Sequence, residues 1–292
     1  MITDKLVEKI KVTGNPSVVG LDTAAEYLPD YEKYRHDTRS LASAVLAFNA
    51  ALIDKIAPIV PAVKVQIAYY EAMGVPGMET FARTLELARS AGMIVIADAK
   101  RNDIGATASR YAQAFFGGGD FDCDFLTVNG YLGTDGIKPF VDAGDDKGVF
   151  ALVKTSNPSG VELQDMKLEN GKTVYMQMAE LVEKWGADNV GVSGYSRVGA
   201  VVGATYPEQA RELRAAMPHT FFLVPGYGAQ GGGADGAVAG FDARGCGGIV
   251  NSSRGIICAY KQEKYKGMTP ADAAYAAAVD MREDLAGALA RR

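Results

Sequence analysis

Histidine, cysteine and tryptophan are scarce. The 292-residue chain has two histidines, three cysteines and one tryptophan. His36 and His219 lie far from each other and form no motif with cysteine, which argues against the Cys/His clusters that hold zinc. Cys123, Cys246 and Cys258 are an odd set with no short-spaced pair. That predicts reduced thiols in a cytoplasmic protein rather than a disulfide framework. No apolar run approaches the roughly 20 residues of a membrane span, so no membrane partner is expected. Residues 1–10 lack the long apolar region of a signal peptide and read as a short amphipathic helix. Positive charge is not in excess either. Thirty Lys and Arg against 35 Asp and Glu leave a net charge of −5, which argues against a general nucleic-acid binder. An anionic small substrate stays open, because it needs only local positive charge.

What is present is a repeating pattern. Hydrophobic residues make up 48% of the chain, and short β-type apolar runs alternate with helical periodicity. The strand candidates are 17–21, 62–66, 93–97, 125–128, 149–153, 200–202, 221–224 and 248–251. Helical patterns cover 39–57, 77–91, 104–116, 133–143, 174–185, 207–217 and 271–291. Strands that are apolar throughout suit a parallel sheet covered on both faces. Eight βα units in this length predict a single-domain α/β fold, a (β/α)8 TIM barrel over 1–292, with a short N-terminal helix and a closing C-terminal helix. A doubly wound open sheet is the alternative. No linker or repeat divides the chain.

Barrel enzymes carry their chemistry at the C-terminal ends of the strands. Polar residues stand at those points here: Asp22, Asp98, Lys100, Asn129, Ser156, Thr205, Gln230 and Ser253-Arg254. Lys64 lies inside its strand run. The densest stretch is Ile94-Val-Ile-Ala-Asp98-Ala-Lys100-Arg-Asn-Asp103-Ile-Gly-Ala-Thr107. Asp98 and Lys100 are two apart, so an extended strand end points them the same way. Two bland readings stand beside a catalytic one: Asp103 as an N-cap, and Asp98 with Lys100 as a structural ion pair. An alternating Lys/Asp array that includes Lys64 would hold a lysine protonated in a partly desolvated site. Such a lysine can donate to a developing carbanion.

Two later stretches fit a phosphate group. Asn251-Ser-Ser-Arg254-Gly follows the eighth strand and Pro225-Gly226-Tyr-Gly-Ala-Gln230 the seventh, the usual barrel positions for phosphate. Arg254 supplies a guanidinium fork and Gly226 allows close backbone approach. The Gly-x-Gly there opens no well-formed helix, so it is not a dinucleotide fingerprint. Asp22 can accept from sugar hydroxyls or be an ordinary turn residue. Thr155-Ser156-Asn157 can hydrogen-bond a heterocycle or form an ST-turn.

Asp98-x-Lys100-x-x-Asp103, continued by Ile104-Gly-Ala-Thr107, resembles the orotidine 5′-phosphate decarboxylase family in its longer bacterial subfamily. Gly20-Leu-Asp22, Val63-Lys64-Val-Gln66, Thr155-Ser156-Asn-Pro-Ser-Gly, Val202-Gly-Ala-Thr205 and the two phosphate stretches fit it in order, over about residues 15–260. The resemblance implies a homodimer with shared active sites that converts orotidine 5′-phosphate to UMP and CO2 with no cofactor or metal. By motif, Lys64, Asp98 and Lys100 form the array, completed by Asp103 from the other subunit, and Lys100 protonates C6. Asp98 sits against the substrate carboxylate. Asp22 and Lys64, with the partner's Asp103 and Thr107, bind the ribose. Ser156 reads the pyrimidine, and Gln230 and Arg254 hold the phosphate. The rivals are a Mg²⁺-dependent relative with the same motif and a catalytically silent phosphate-binding barrel.

Overall fold

The computed structural model describes residues 1–228 and 231–292. Eight parallel strands close into a barrel in the order β1 to β8. They are β1 (Ser17–Gly20), β2 (Ala62–Gln66), β3 (Ile94–Arg101), β4 (Phe125–Val128), β5 (Gly148–Lys154), β6 (Ser196–Val202), β7 (Thr220–Val224) and β8 (Gly248–Ser252). The helices in chain order are α1 (Ile2–Thr13), α2 (Thr38–Ile56), α3 (Ala68–Glu71), α4 (Gly74–Ser90), α5 (Gly105–Phe116) and α6 (Thr134–Val141), then α7 (Val174–Gly186), α8 (Pro207–Ala216), α9 (Ala234–Ala237), α10 (Arg254–Ile257) and α11 (Pro270–Ala290). The expected α/β barrel is the fold observed.

Alternation along the strands sorts the core into two parts. Outward-facing Val19, Val63, Val95, Leu126 and Val250 pack with Val45, Leu52, Phe81, Leu85 and Leu285 of the surrounding helices. Inward-facing Val18, Ala62, Ile96, Phe125, Phe150 and Ile249 fill the barrel interior, and Ile2, Leu6 and Val7 of α1 join them. The amphipathic first helix is therefore a plug over the N-terminal mouth. It is fixed there by Thr3 Oγ1 donating to Ser196 O at 3.1 Å and by Ser193 N donating to Asp4 Oδ1 at 2.8 Å. Each large apolar side chain buried in this way contributes about 1.5–3 kcal/mol. With one mouth plugged, polar chemistry is left to the C-terminal mouth.

The next layer up is different. Lys64, Asp98, Thr127 and Asn251 occupy one side and Leu152, Val201 and Leu223 the other. The mouth is polar on one side and apolar on the other, the mix found in small-molecule sites.

Two strand ends depart from the sequence reading by more than one residue. β6 begins at Ser196 rather than 200. Arg197 and Gly199 break its apolar pattern, but Arg197 is buried and donates to Val141 O at 2.6 Å. β3 runs on to Arg101 rather than stopping at 97. Its register against β4 shifts between Ala97 and Arg101, and Lys100 has φ +48°. Residues 98–100 therefore bulge, and simple alternation does not place Lys100.

Candidate active site

Asp98 is the hub. It is 7% exposed and accepts four hydrogen bonds. Lys64 Nζ and Gln66 Nε2 each reach Oδ2 at 2.9 Å. Lys100 Nζ reaches Oδ1 at 2.7 Å and Thr127 Oγ1 reaches it at 2.8 Å. These donors fill the carboxylate's capacity of about four lone-pair sites. Burial alone would raise its pKa, but Lys64 and Lys100 outweigh that and hold the carboxyl well below its usual range. Asp98 is thus a fixed anion and not a proton acceptor.

Lys64 is 4% exposed. Its ammonium also donates to Asp22 Oδ1, at 3.1 Å. Burial would lower its pKa, yet Asp22 and Asp98 together shift it upward. It stays a cation. Asp22 spends its other oxygen on the Ser253 hydroxyl, at 2.7 Å. That contact depends on Gly20, since a Cβ there would lie 2.0 Å from Ser253 Oγ.

Lys100 differs from Lys64 in being reachable. Its side chain is 46% exposed and touches Asp98 from the open side of the mouth. Its backbone N–H donates to Thr127 Oγ1 at 2.9 Å, so one threonine hydroxyl holds both the hub and the bulge. A non-glycine residue in the left-handed region is strained by about 1–3 kcal/mol and persists only where neighbours impose it. The expectation that an extended strand end points Asp98 and Lys100 the same way is corrected in its premise: the two meet, but Lys100 sits in a bulge with left-handed backbone.

A cavity of about 270 Å³ lies over this array, lined also by Thr155, Ser156, Asn157 and Pro225. Lys64, Asp98, Lys100 and Ser156 share it, and Asp22 borders it through Lys64. Asp103 and Thr107 are not among its lining residues. Asp103 is not the N-cap of α5 either: Ile104 holds that position, and the Asp103 carboxylate accepts from Ile104 N. Thr107 is exposed on α5. Arg254 is exposed at the start of α10, beyond β8, and Gly226 sits after β7 with φ +101°. Gln230 lies outside the described residues.

Gln66, Thr127 and Asn251 are site-lining or hub-contacting residues that sequence reasoning left without roles. Asn251 is buried, and its Oδ1 has no donor. The available signal was weak: each is a single polar residue in an otherwise apolar run. Among the described residues, no three His, Cys, Asp or Glu side chains are grouped to hold a metal ion, and the carboxylates of Asp22 and Asp98 are engaged by lysines.

Residues 18–267 match the model of the Orotidine 5′-phosphate decarboxylase / HUMPS family. The chain belongs to that family. An orotidine 5′-phosphate decarboxylase of Rhodopirellula baltica is 46% identical over 291 residues, covering 94% of this chain and 95% of the relative. One of Clostridium botulinum is 44% identical, covering 98% and 99%. Among solved structures, Leishmania donovani OMP decarboxylase superposes with a TM-score of 0.78 at 30% identity, covering 99% of this chain and 98% of that one. The family match spans every strand except the first residue of β1. No helix among the described residues is long and apolar enough to cross a membrane.

Proposed function

We propose that the protein converts orotidine 5′-phosphate to UMP and CO2 as the last step of UMP synthesis, with Lys100 protonating C6. The observation that carries the reading is the Lys64–Asp98–Lys100 array, in which one buried carboxylate is locked as an anion between a buried lysine and a half-exposed one. The C6–carboxylate bond breaks, its electron pair stays on C6, and CO2 leaves. The ammonium of Lys100 then gives its proton to C6, and solvent restores it. The cation beside the developing negative charge stabilises it. Asp98, unable to take a proton, faces the substrate carboxylate and orients Lys100.

The remaining roles belong to the same reading. Leu152, Val201 and Leu223 offer an apolar wall to the pyrimidine, and Ser156 meets its polar edge. Asp22 and Lys64 take the ribose hydroxyls. Arg254, Gln230 and the backbone at Gly226 take the phosphate. The phosphate and ribose contacts lie away from the breaking bond, so their binding energy can serve to hold the reacting group against the array.

Asp103 and Thr107 act in the site of a second copy, making a homodimer with shared active sites. Ile104, Tyr131 and Leu132 support this, being 56%, 78% and 43% exposed on the same rim as Asp103. The free thiols of Cys123, Cys246 and Cys258 suit the cytoplasm. No cofactor or metal enters any step. The test is the loss of absorbance when orotidine 5′-phosphate is added with EDTA present. Turnover insensitive to EDTA is expected; a strict Mg²⁺ requirement would indicate an enediolate chemistry instead.

A further inference from the structure

Asp22 lies in a segment, residues 21–24, that is neither helix nor strand. Its two chain neighbours are nonetheless held by one buried polar cluster. Thr23 Oγ1 donates to Asn49 Oδ1 at 2.8 Å. Asn49 Nδ2 donates to Tyr70 OH at 2.8 Å and lies 3.3 Å from Thr84 Oγ1. Tyr70 OH in turn donates to the carbonyl of Leu21 at 3.1 Å. Thr23 is 1% exposed, and Asn49, Tyr70 and Thr84 are 0% exposed. The cluster gathers α2, α3 and α4 onto the residues before and after Asp22.

A buried polar network of this kind is costly unless every member is satisfied, and apolar side chains could fill the same space. What this network fixes is specific: the backbone at residue 21 and the side chain at residue 23. Between them, Asp22 aims one oxygen at Lys64 and the other at Ser253. We propose that Thr23, Asn49 and Tyr70 are positioning residues that aim the Asp22 carboxylate at the sugar hydroxyls of the bound nucleotide. The inference rests on the role given to Asp22 above.

Thr23→Val and Tyr70→Phe each remove one hydroxyl with little change of volume. Binding of UMP and of 2′,3′-dideoxyuridine 5′-phosphate, which lacks the hydroxyls, is measured by calorimetry for the full-length protein and each variant. Either variant is expected to lose about 5–10-fold in UMP affinity, a typical loss for one hydrogen bond, with the dideoxy ligand unchanged and Thr23→Ser near the starting protein. Combined with Asp22→Ala, neither variant should lose anything further, as expected for coupled residues. Equal losses for both ligands, or the same fold-loss in the Asp22→Ala background, would show a merely structural cluster and overturn the inference. If the unmodified protein binds no UMP, the functional reading falls and this inference with it.

Discussion

A lysine in a glycine's conformation makes a prediction whose sign is diagnostic. Lys100→Ala and Lys100→Gly both delete the ammonium and its bond to Asp98, so their difference isolates the backbone. At φ +48°, an alanine Cβ meets the following carbonyl at a cost of about 1–2 kcal/mol. Against that, glycine's freer unfolded chain costs about 0.4–1 kcal/mol. The glycine variant should be the more stable by roughly 1 kcal/mol. In an ordinary strand the order reverses, with glycine the less stable by about 0.5–1 kcal/mol. With a urea dependence near 3 kcal/mol per molar, the glycine variant should unfold at about 0.3 M higher urea. A midpoint for alanine at or above that for glycine would refute the bulge, and with it the account of how Lys100 reaches Asp98.

Arg254→Ala should weaken UMP binding by about 10–100-fold, the loss of one charge-assisted contact, while uridine affinity stays constant; an equal effect on both would move the phosphate elsewhere. Asp98 titrates below its unfolded value of about 4, so its stabilising effect is complete above that pH and is lost as pH falls further. The stability gap between the protein and Asp98→Asn should thus be constant from about pH 5 to 9 and shrink below about pH 4. A gap that widens on acidification contradicts the assignment. Mixing inactive Asp103→Ala and Lys100→Ala subunits should restore one working site per heterodimer, and no recovery of turnover would count against a shared site.

The barrel was legible because its strands are apolar throughout and its helices periodic, two patterns that local chemistry sets. Lys64 was found as a charge inside such a run, and Asp98 and Lys100 as charges at the end of another. The way Lys100 is presented was not legible. Alternation assumes extended backbone, and nothing in Asp98-Ala-Lys100 announces a left-handed residue. Thr127, which holds that residue's N–H and Asp98 together, looks in Phe-Leu-Thr-Val like any strand threonine. Its role arises from the register of β4 against a bulged β3, a tertiary fact. Asp103 shows the opposite limit: the strand-to-helix turn suggested a cap, but α5 starts one residue later than a cap at 103 requires.

The central claim is that Lys100 supplies the proton. Its most direct test is CO2 release from saturating orotidine 5′-phosphate by Lys100→Ala, using protein shown to be folded and to bind UMP. A positioned general acid contributes about 10²–10⁴-fold, and losing the adjacent positive charge adds to that. The account predicts a fall of at least about 10³-fold with UMP binding retained. Turnover within tenfold of the unmodified protein would remove Lys100 from the role of proton donor.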